Sequence, residues 1–256
     1  MPSTLSAFLR KGLLNLIFPR NCLLCRHGLK NTSDILCLRC RSAVELNKPP
    51  FCQRCSRPLA AVREDNLCRQ CRTTEYSFDS AFAAVIYNDC MQRLIHLFKY
   101  HNKGYLKNFF VFLMAQAAEN YHFCFQKYDL LIPVPLSRAR LRERGYNQSQ
   151  LLAQDLSHRH GVRMSRQNLV RIRHTPNQAL LRKKERWTNI RGALRIKNSA
   201  ELKGKTILLL DDLLTTGATA SEAARVLKKA GAASVDVLSL AIALDDKFLI
   251  YPHENP

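Results

Sequence analysis

Four Cys-x-x-Cys pairs stand within the first 71 residues: Cys22/Cys25, Cys37/Cys40, Cys52/Cys55 and Cys68/Cys71. Two thiolates separated by two residues chelate one ion from a tight turn, and four such sulfurs satisfy the tetrahedral preference of zinc. Four pairs therefore make two closed sites. The intervals within successive couples are 11 and 12 residues, which suits two consecutive zinc ribbons. Sequential sites (Cys22, Cys25, Cys37, Cys40, then Cys52, Cys55, Cys68, Cys71) are preferred over a cross-braced arrangement, which the spacing leaves open. Disulfides would require an oxidising compartment. The opening "MPSTLSAFLRKGLLNLIF" is a poor export signal, with Arg10 and Lys11 in its middle and no small-residue cleavage site. A site of four thiolates has no open position, so both zincs are expected to hold structure and not to catalyse. Residues 20–75 hold 11 Lys/Arg and 5 Asp/Glu, so folding there should depend on metal. His27 reads as a surface residue, and the lone Cys90 and Cys124 read as small buried hydrophobes.

The rest of the chain alternates strand and helix signals. "FDSAFAAVIY" (78–87), "YDLLIPVPL" (128–136), "GKTILLLDD" (204–212) and "ASVDVLSLAIAL" (233–244) read as strands. "CMQRLIHLFKYHNK" (90–103), "LKNFFVFLMAQAAENYHFCF" (106–125), "NQSQLLAQDLSHRHG" (147–161) and "ATASEAARVLKKAG" (218–231) read as helices. That alternation implies an α/β fold, a mostly parallel sheet with helices on both faces. The expected organisation is a short amphipathic helix over 1–19, a double zinc ribbon over 20–75 and an α/β domain over 76–256. The N-terminal helix either packs on its own protein or makes weak contact with a membrane surface. No apolar run reaches the length of a membrane span.

Charge narrows the partners. The chain has 40 Lys/Arg against 20 Asp/Glu, a formal net charge of +20. Residues 137–191 alone hold 14 Lys/Arg and 3 Asp/Glu, a net of +11. A polyanion is the expected partner of such a segment.

Against that charge, "ILLLDDLLTTGAT" (207–219) is unusual. Four aliphatic residues run into Asp211-Asp212, which packing does not explain. In an open parallel sheet, ligands bind at the carboxyl ends of strands. Thr215, Thr216, Gly217, Ala218 and Thr219 then turn the chain into a helix, whose N-terminal N–H groups cradle an anion. The carboxylates cannot bind the same anion, but they accept hydrogen bonds from vicinal hydroxyls. A group with hydroxyls on one side and a phosphate on the other is a ribose 5-phosphate.

This stretch resembles the signature of type I phosphoribosyltransferases, which bind 5-phosphoribosyl-1-pyrophosphate (PRPP) with Mg²⁺. "IFPRNCLLC", "IPVPLSRARLRERGYNQSQLLA", "RIRHTPNQALLRKKERWTNIRGAL" and "LLLDDLLTTGATASEAARVL" together resemble the ComF/ComFC competence family. Its members join a zinc-finger region to such a domain and are associated with natural transformation. Tyr146 stands where many members have Phe.

The resemblance implies a type I phosphoribosyltransferase-like fold and a role for each matching residue. Asp211 and Asp212 would hold the ribose hydroxyls, one of them reaching Mg²⁺ through water, and are the catalytic candidates. Thr215, Thr216, Gly217, Ala218 and Thr219 would hold the 5-phosphate. Ser137, Arg138 and Arg140 would face the pyrophosphate, with Arg142, Arg144 and Asn147 next in line. Arg171, Thr175, Gln178 and Arg186 would belong to a mobile loop over the site, and Lys99 is a weaker candidate. Single-stranded DNA entering the cytoplasm would meet Arg142, Arg144, Arg182, Lys183 and Lys184. Two functions stay open: a cytoplasmic DNA-handling protein that binds PRPP, and an active transferase with an unidentified nucleobase-like acceptor. A docking role toward a helicase-like DNA-uptake motor is a third.

Overall fold

The computed structural model describes residues 21–31, 34–61, 64–173 and 183–244, with the side chains of Lys183 and Lys184 outside that description. The expected helix over 1–19 lies outside the described residues, as do Thr175, Gln178 and Arg182. The chain divides into two compact units between Glu45 and Leu46, inside the stretch read from the sequence as one double-ribbon domain.

The first unit holds one cysteine quartet. An isolated bridge joins Asn21 to Gly28 across the Cys22–Cys25 turn. The one-turn helix Leu38–Ser42 follows Cys37 and carries Cys40.

Among the described residues of the second unit, six strands form two sheets. β1 (Ala81–Ile86), β2 (Leu130–Pro133), β5 (Thr206–Leu214) and β6 (Ser234–Ile242) make a parallel sheet in the order β1-β6-β5-β2. β3 (Leu169–Arg171) and β4 (Leu194–Ile196) form a separate antiparallel pair. Besides the one-turn helix Arg69–Thr73, the α-helices among the unit's described residues are α1 (Asp89–Tyr100), α2 (Leu106–Asn120), α3 (Arg138–Arg144), α4 (Gln148–His160), α5 (Lys183–Ile190) and α6 (Ala218–Lys229). Buried on both faces, the strands read as continuous apolar runs, as a covered parallel sheet requires. Ile207, Leu209, Val235 and Val237 pack with Ala220, Ala223 and Leu227 of α6. The alanines let this helix sit close to the sheet. α4 packs on β2 and β5, and α2 packs on β1 and α4.

The second cysteine quartet belongs to this same core. Cys52, Cys55, Cys68 and Cys71 are all buried in the cluster that contains Ile207, Val235 and Leu227. Residues 46–47 extend the sheet edge: Leu46 bridges Val85, and the Asn47 N–H donates to the Ala84 carbonyl at 2.9 Å. The fully buried Asn47 amide also donates to the Ser56 carbonyl, the Ser56 hydroxyl and the Ala83 carbonyl at 2.8–3.1 Å. An amide placed this way fixes the ribbon on β1, because any displacement would strand its buried donors. Two expectations fail at the lone cysteines: Cys90 is only half-buried and Cys124 is exposed. Cys124 stands just outside the 3-10 turn Phe125–Lys127, where the chain reaches solvent.

Candidate functional site

β2 pairs with β5 only as far as Pro133–Leu210. The next residue of β5 is Asp211, so the carboxylates stand where the sheet loses a strand and a crevice opens. β5 itself runs on through Leu214, and a turn of three residues leads into α6.

Asp211 and Asp212 sit in different environments. The Asp212 carboxylate meets the Lys99 ammonium at 2.6 Å, with both side chains largely buried. Burial alone would push the Asp212 carboxyl up, but the Lys99 charge outweighs it and holds the group below the usual carboxylate range. Asp211 makes no ion pair among the described residues. Burial, and then the Asp212 charge, push its carboxyl well above the usual range. Its Oδ1 accepts from the Ser149 hydroxyl at 3.2 Å and from the Asp212 N–H at 2.9 Å. The pair thus offers one firmly charged acceptor and one that gains from a hydroxyl donor or a cation. Tyr146 contributes at one remove: its hydroxyl donates to the Phe98 carbonyl beside Lys99. The Tyr in place of Phe is therefore hydrogen-bonded.

Gly217 makes the turn possible. Its φ of +76° lies in the left-handed region, and it is the residue from which α6 starts. The Thr216 hydroxyl accepts from the Ala218 N–H at 3.4 Å. Thr215, Thr216, Gly217, Ala218 and Thr219 are thus brought together at one helix N-terminus shortly after the two carboxylates, an arrangement suited to an anion.

The second ribbon holds this turn. The Tyr76 hydroxyl donates to the Thr216 carbonyl at 3.1 Å, and Gln70 donates to that hydroxyl at 2.6 Å. The Tyr76 ring stacks on Phe78 and lies beside Trp187 of α5. Arg57 donates to the carbonyls of Thr215, Ala243 and Leu244 at 3.0–3.1 Å. Arg54 donates to the Tyr76 carbonyl at 2.8 Å. The contacts of Arg57, Gln70 and Tyr76 with this turn could not be read from the sequence, because nothing local marks a residue as meeting a loop over a hundred positions away.

On the opposite side stand the other basic candidates. Ser137 is buried and caps α3, accepting from the Arg140 N–H at 3.4 Å, and Asn147 donates to the Val134 carbonyl at 3.0 Å. Burial, then the Arg144 charge, hold the Arg140 guanidinium below its ordinary value. Burial, then Arg140, lower Arg171 to about 10. Both half-buried guanidiniums thus have lowered pKa values, and a bound anion would favour their charged forms. Arg171 was read as part of a loop, but it lies in β3. Arg186 was grouped with it, but it is buried within α5. Arg144, expected near the pyrophosphate or on DNA, donates to Gln148 and to the Tyr100 hydroxyl and lies over the Tyr100 ring. Arg138 and Arg142 are exposed.

The metal sites fit their cysteines. Sulfurs of Cys22, Cys25, Cys37 and Cys40 lie within 4.8 Å of one another, and so do those of Cys52, Cys55, Cys68 and Cys71. A tetrahedral ion with bonds of about 2.3 Å requires sulfurs roughly 3.8 Å apart. Cys25–Cys37 at 3.5 Å and Cys55–Cys68 at 3.6 Å meet that requirement. The sites are therefore sequential, and each fits one structural zinc.

Comparison with known proteins agrees with both halves. A double zinc ribbon domain model matches residues 13–72, and a phosphoribosyl transferase domain model matches residues 131–251. The chain is 30% identical to Competence protein F of Haemophilus influenzae over 230 residues, covering 88% of this chain and 98% of that one. It is 32% identical to Competence protein ComFC of Bacillus subtilis, over 83% of this chain and 86% of that one. It is 29% identical to DNA utilization protein YhgH of Salmonella typhimurium, over 90% of this chain and 100% of that one. With two fitted cysteine quartets, two domain models that match in order and this identity across nearly a whole relative, the chain belongs to the ComF/ComFC competence family.

Proposed function

We propose that this protein acts on internalised single-stranded DNA in the cytoplasm during natural transformation and binds PRPP in its α/β domain. The observation that carries the PRPP reading is the placement of Asp211-Asp212 before the Thr215–Thr219 turn, with only Leu213 and Leu214 between them. The carboxylates would accept the ribose hydroxyls and the turn would hold the 5-phosphate. Ser137, Arg138, Arg140 and Arg171 would face the pyrophosphate, and Lys99 would keep Asp212 ionised. Mg²⁺, bound together with PRPP, would neutralise the pyrophosphate. The competence role is supported by what the relatives are called and by the basic excess of the chain.

Active transfer is the second reading, and the half-buried guanidiniums of Arg140 and Arg171, the first close enough to lower the pKa of the second, favour it. Charge held ready beside the pyrophosphate position would stabilise that group as it leaves C1, with a nucleophile attacking from the other side. Docking to a helicase-like uptake motor, and weak inner-membrane contact of residues 1–19, are further proposals that rest on the sequence alone. In a transformable host that carries this gene, deletion should abolish transformants while DNA still enters the cell envelope. Restoration by the intact gene is expected. Unchanged transformation after deletion would sink the competence reading.

A further inference from the structure

Beside the pyrophosphate loop lies a cavity of about 800 Å³ between β2, α3 and the β3–β4 pair. Its lining includes Arg138, Arg142, Arg166, Arg195 and Lys197, together with Arg171 and Arg173. Among the described residues, no Asp or Glu lines it. The Arg173 guanidinium is committed to the carbonyls of Asn189 and Arg191 at 2.8–3.1 Å. Arg138, Arg142, Arg166, Arg195 and Lys197 are exposed, and none of them is in an ion pair among the described residues. Like charges gathered without counter-charge destabilise a fold unless an anionic partner uses them.

The lining is not uniformly cationic. Leu141 and Ile172 are 44% and 56% exposed, two of the few large hydrophobics left in solvent, and both face this cavity. Free phosphate or an acidic peptide has no use for apolar surface set among guanidiniums. A nucleic-acid strand does, since its phosphates take the cations while its base faces cover apolar groups and arginine planes. The volume lies in the range of small-molecule sites. It admits a nucleotide-sized portion of a flexible strand and not a duplex.

From these observations we infer that the cavity between α3 and the β3–β4 pair is the seat of a single polynucleotide strand, held by Arg138, Arg142, Arg166, Arg195 and Lys197. This rests on the DNA-handling reading and adds where the strand lies: next to the pyrophosphate side of the PRPP site, with Ser137 and Arg138 on the shared wall. The β3–β4 pair is built to present its share of the cations. The Asn168 side chain accepts from the N–H groups of Lys197 and Asn198 and donates to the Asn198 carbonyl and to Glu201, which fixes the end of β4 where Lys197 projects.

The test is fluorescence anisotropy of a labelled oligothymidylate with the full-length, zinc-loaded chain across a salt series. The variant Arg166→Gln/Arg195→Gln/Lys197→Gln removes three cavity cations from outside the PRPP site. Arg159→Gln/Lys203→Gln/Lys229→Gln removes the same charge from other exposed surface. The cavity variant should lose more than tenfold in affinity at low salt. Its slope of log K against log salt should fall by about 2, at roughly 0.7 per phosphate contact on a single strand. The control variant should stay within twofold of the intact chain. Equal binding by the two variants would overturn the cavity assignment and leave DNA handling standing. Equal affinity of the intact chain for duplex and single strand would overturn the single-strand assignment. Absence of any binding by the intact chain would overturn the DNA-handling reading and the cavity with it.

Discussion

The Tyr76 ring occupies the space that a side chain on Gly217 would need: a Cβ there would lie 2.6 Å from Tyr76 Cε1. Tyr76, five residues past the last cysteine of the second quartet, and Gly217 in the turn before α6 are thus fitted to each other. Gly217→Ala meets two penalties, left-handed backbone at about 1–2 kcal/mol and a ring that cannot withdraw, because it is stacked on Phe78 and beside Trp187. We expect a lowered melting temperature and at least a tenfold loss of PRPP affinity. Tyr76→Phe should be milder, costing about 1–2 kcal/mol through the lost bond to the Thr216 carbonyl. Paired melting curves and PRPP titrations check both.

Arg57 reaches three carbonyls, those of Thr215, Ala243 and Leu244. Lysine carries the charge but not the planar fork, so Arg57→Lys should not rescue Arg57→Ala. Each variant should weaken PRPP binding by about 1.5 kcal/mol, roughly tenfold. Full rescue by lysine would show that charge alone matters at this position.

Metal removal should act differently at the two quartets. Cys52→Ser/Cys71→Ser opens the site buried in the core that supports Ile207 and Leu227, so it should loosen the turn it braces. Cys25→Ser/Cys40→Ser alters a separate compact unit. Hydrogen exchange at residues 214–219 should rise in the first variant and remain unchanged in the second. Equal exchange in both would mean the second ribbon does not hold the phosphate turn.

Lys99→Met leaves Asp212 buried without its counter-charge. Breaking such a pair costs about 3 kcal/mol or more, which urea denaturation at neutral pH should detect. The sign with pH follows from the lowered Asp212 carboxyl. The pair's stabilisation is present above the unfolded carboxylate pKa and is lost as pH falls through the depressed folded value. The gap between intact chain and variant should therefore narrow toward acid. A gap independent of pH would show that the lost contacts of the lysine stem, and not its charge, carry the effect.

Legibility followed the range of the interaction. The β5 carboxylates stood out because four aliphatics running into Asp211-Asp212 have no packing account. The cysteine quartets stood out because chelation imposes its own spacing. Both signals are written in adjacent residues. Ser149 and Lys99 reach the same carboxylates from α4 and α1, and only the sheet order brings those helices together. Arg144 was expected near the pyrophosphate or on DNA and Arg186 in a loop over the site, because composition cannot distinguish a ligand-facing guanidinium from one packed on Tyr100 or buried in α5. That the second ribbon is packed into the core could not be read from the sequence, because Asn47 and its cysteines look no different there from those of the first ribbon.

The account stands or falls with the ribose phosphate site. The most direct measurement is calorimetric titration of PRPP with Mg²⁺ into the full-length protein and into Asp211→Asn/Asp212→Asn. The account predicts saturable binding by the intact chain and its loss in the double variant with folding preserved. Failure of the intact, zinc-loaded chain to bind PRPP, or undiminished binding by the variant, would contradict it.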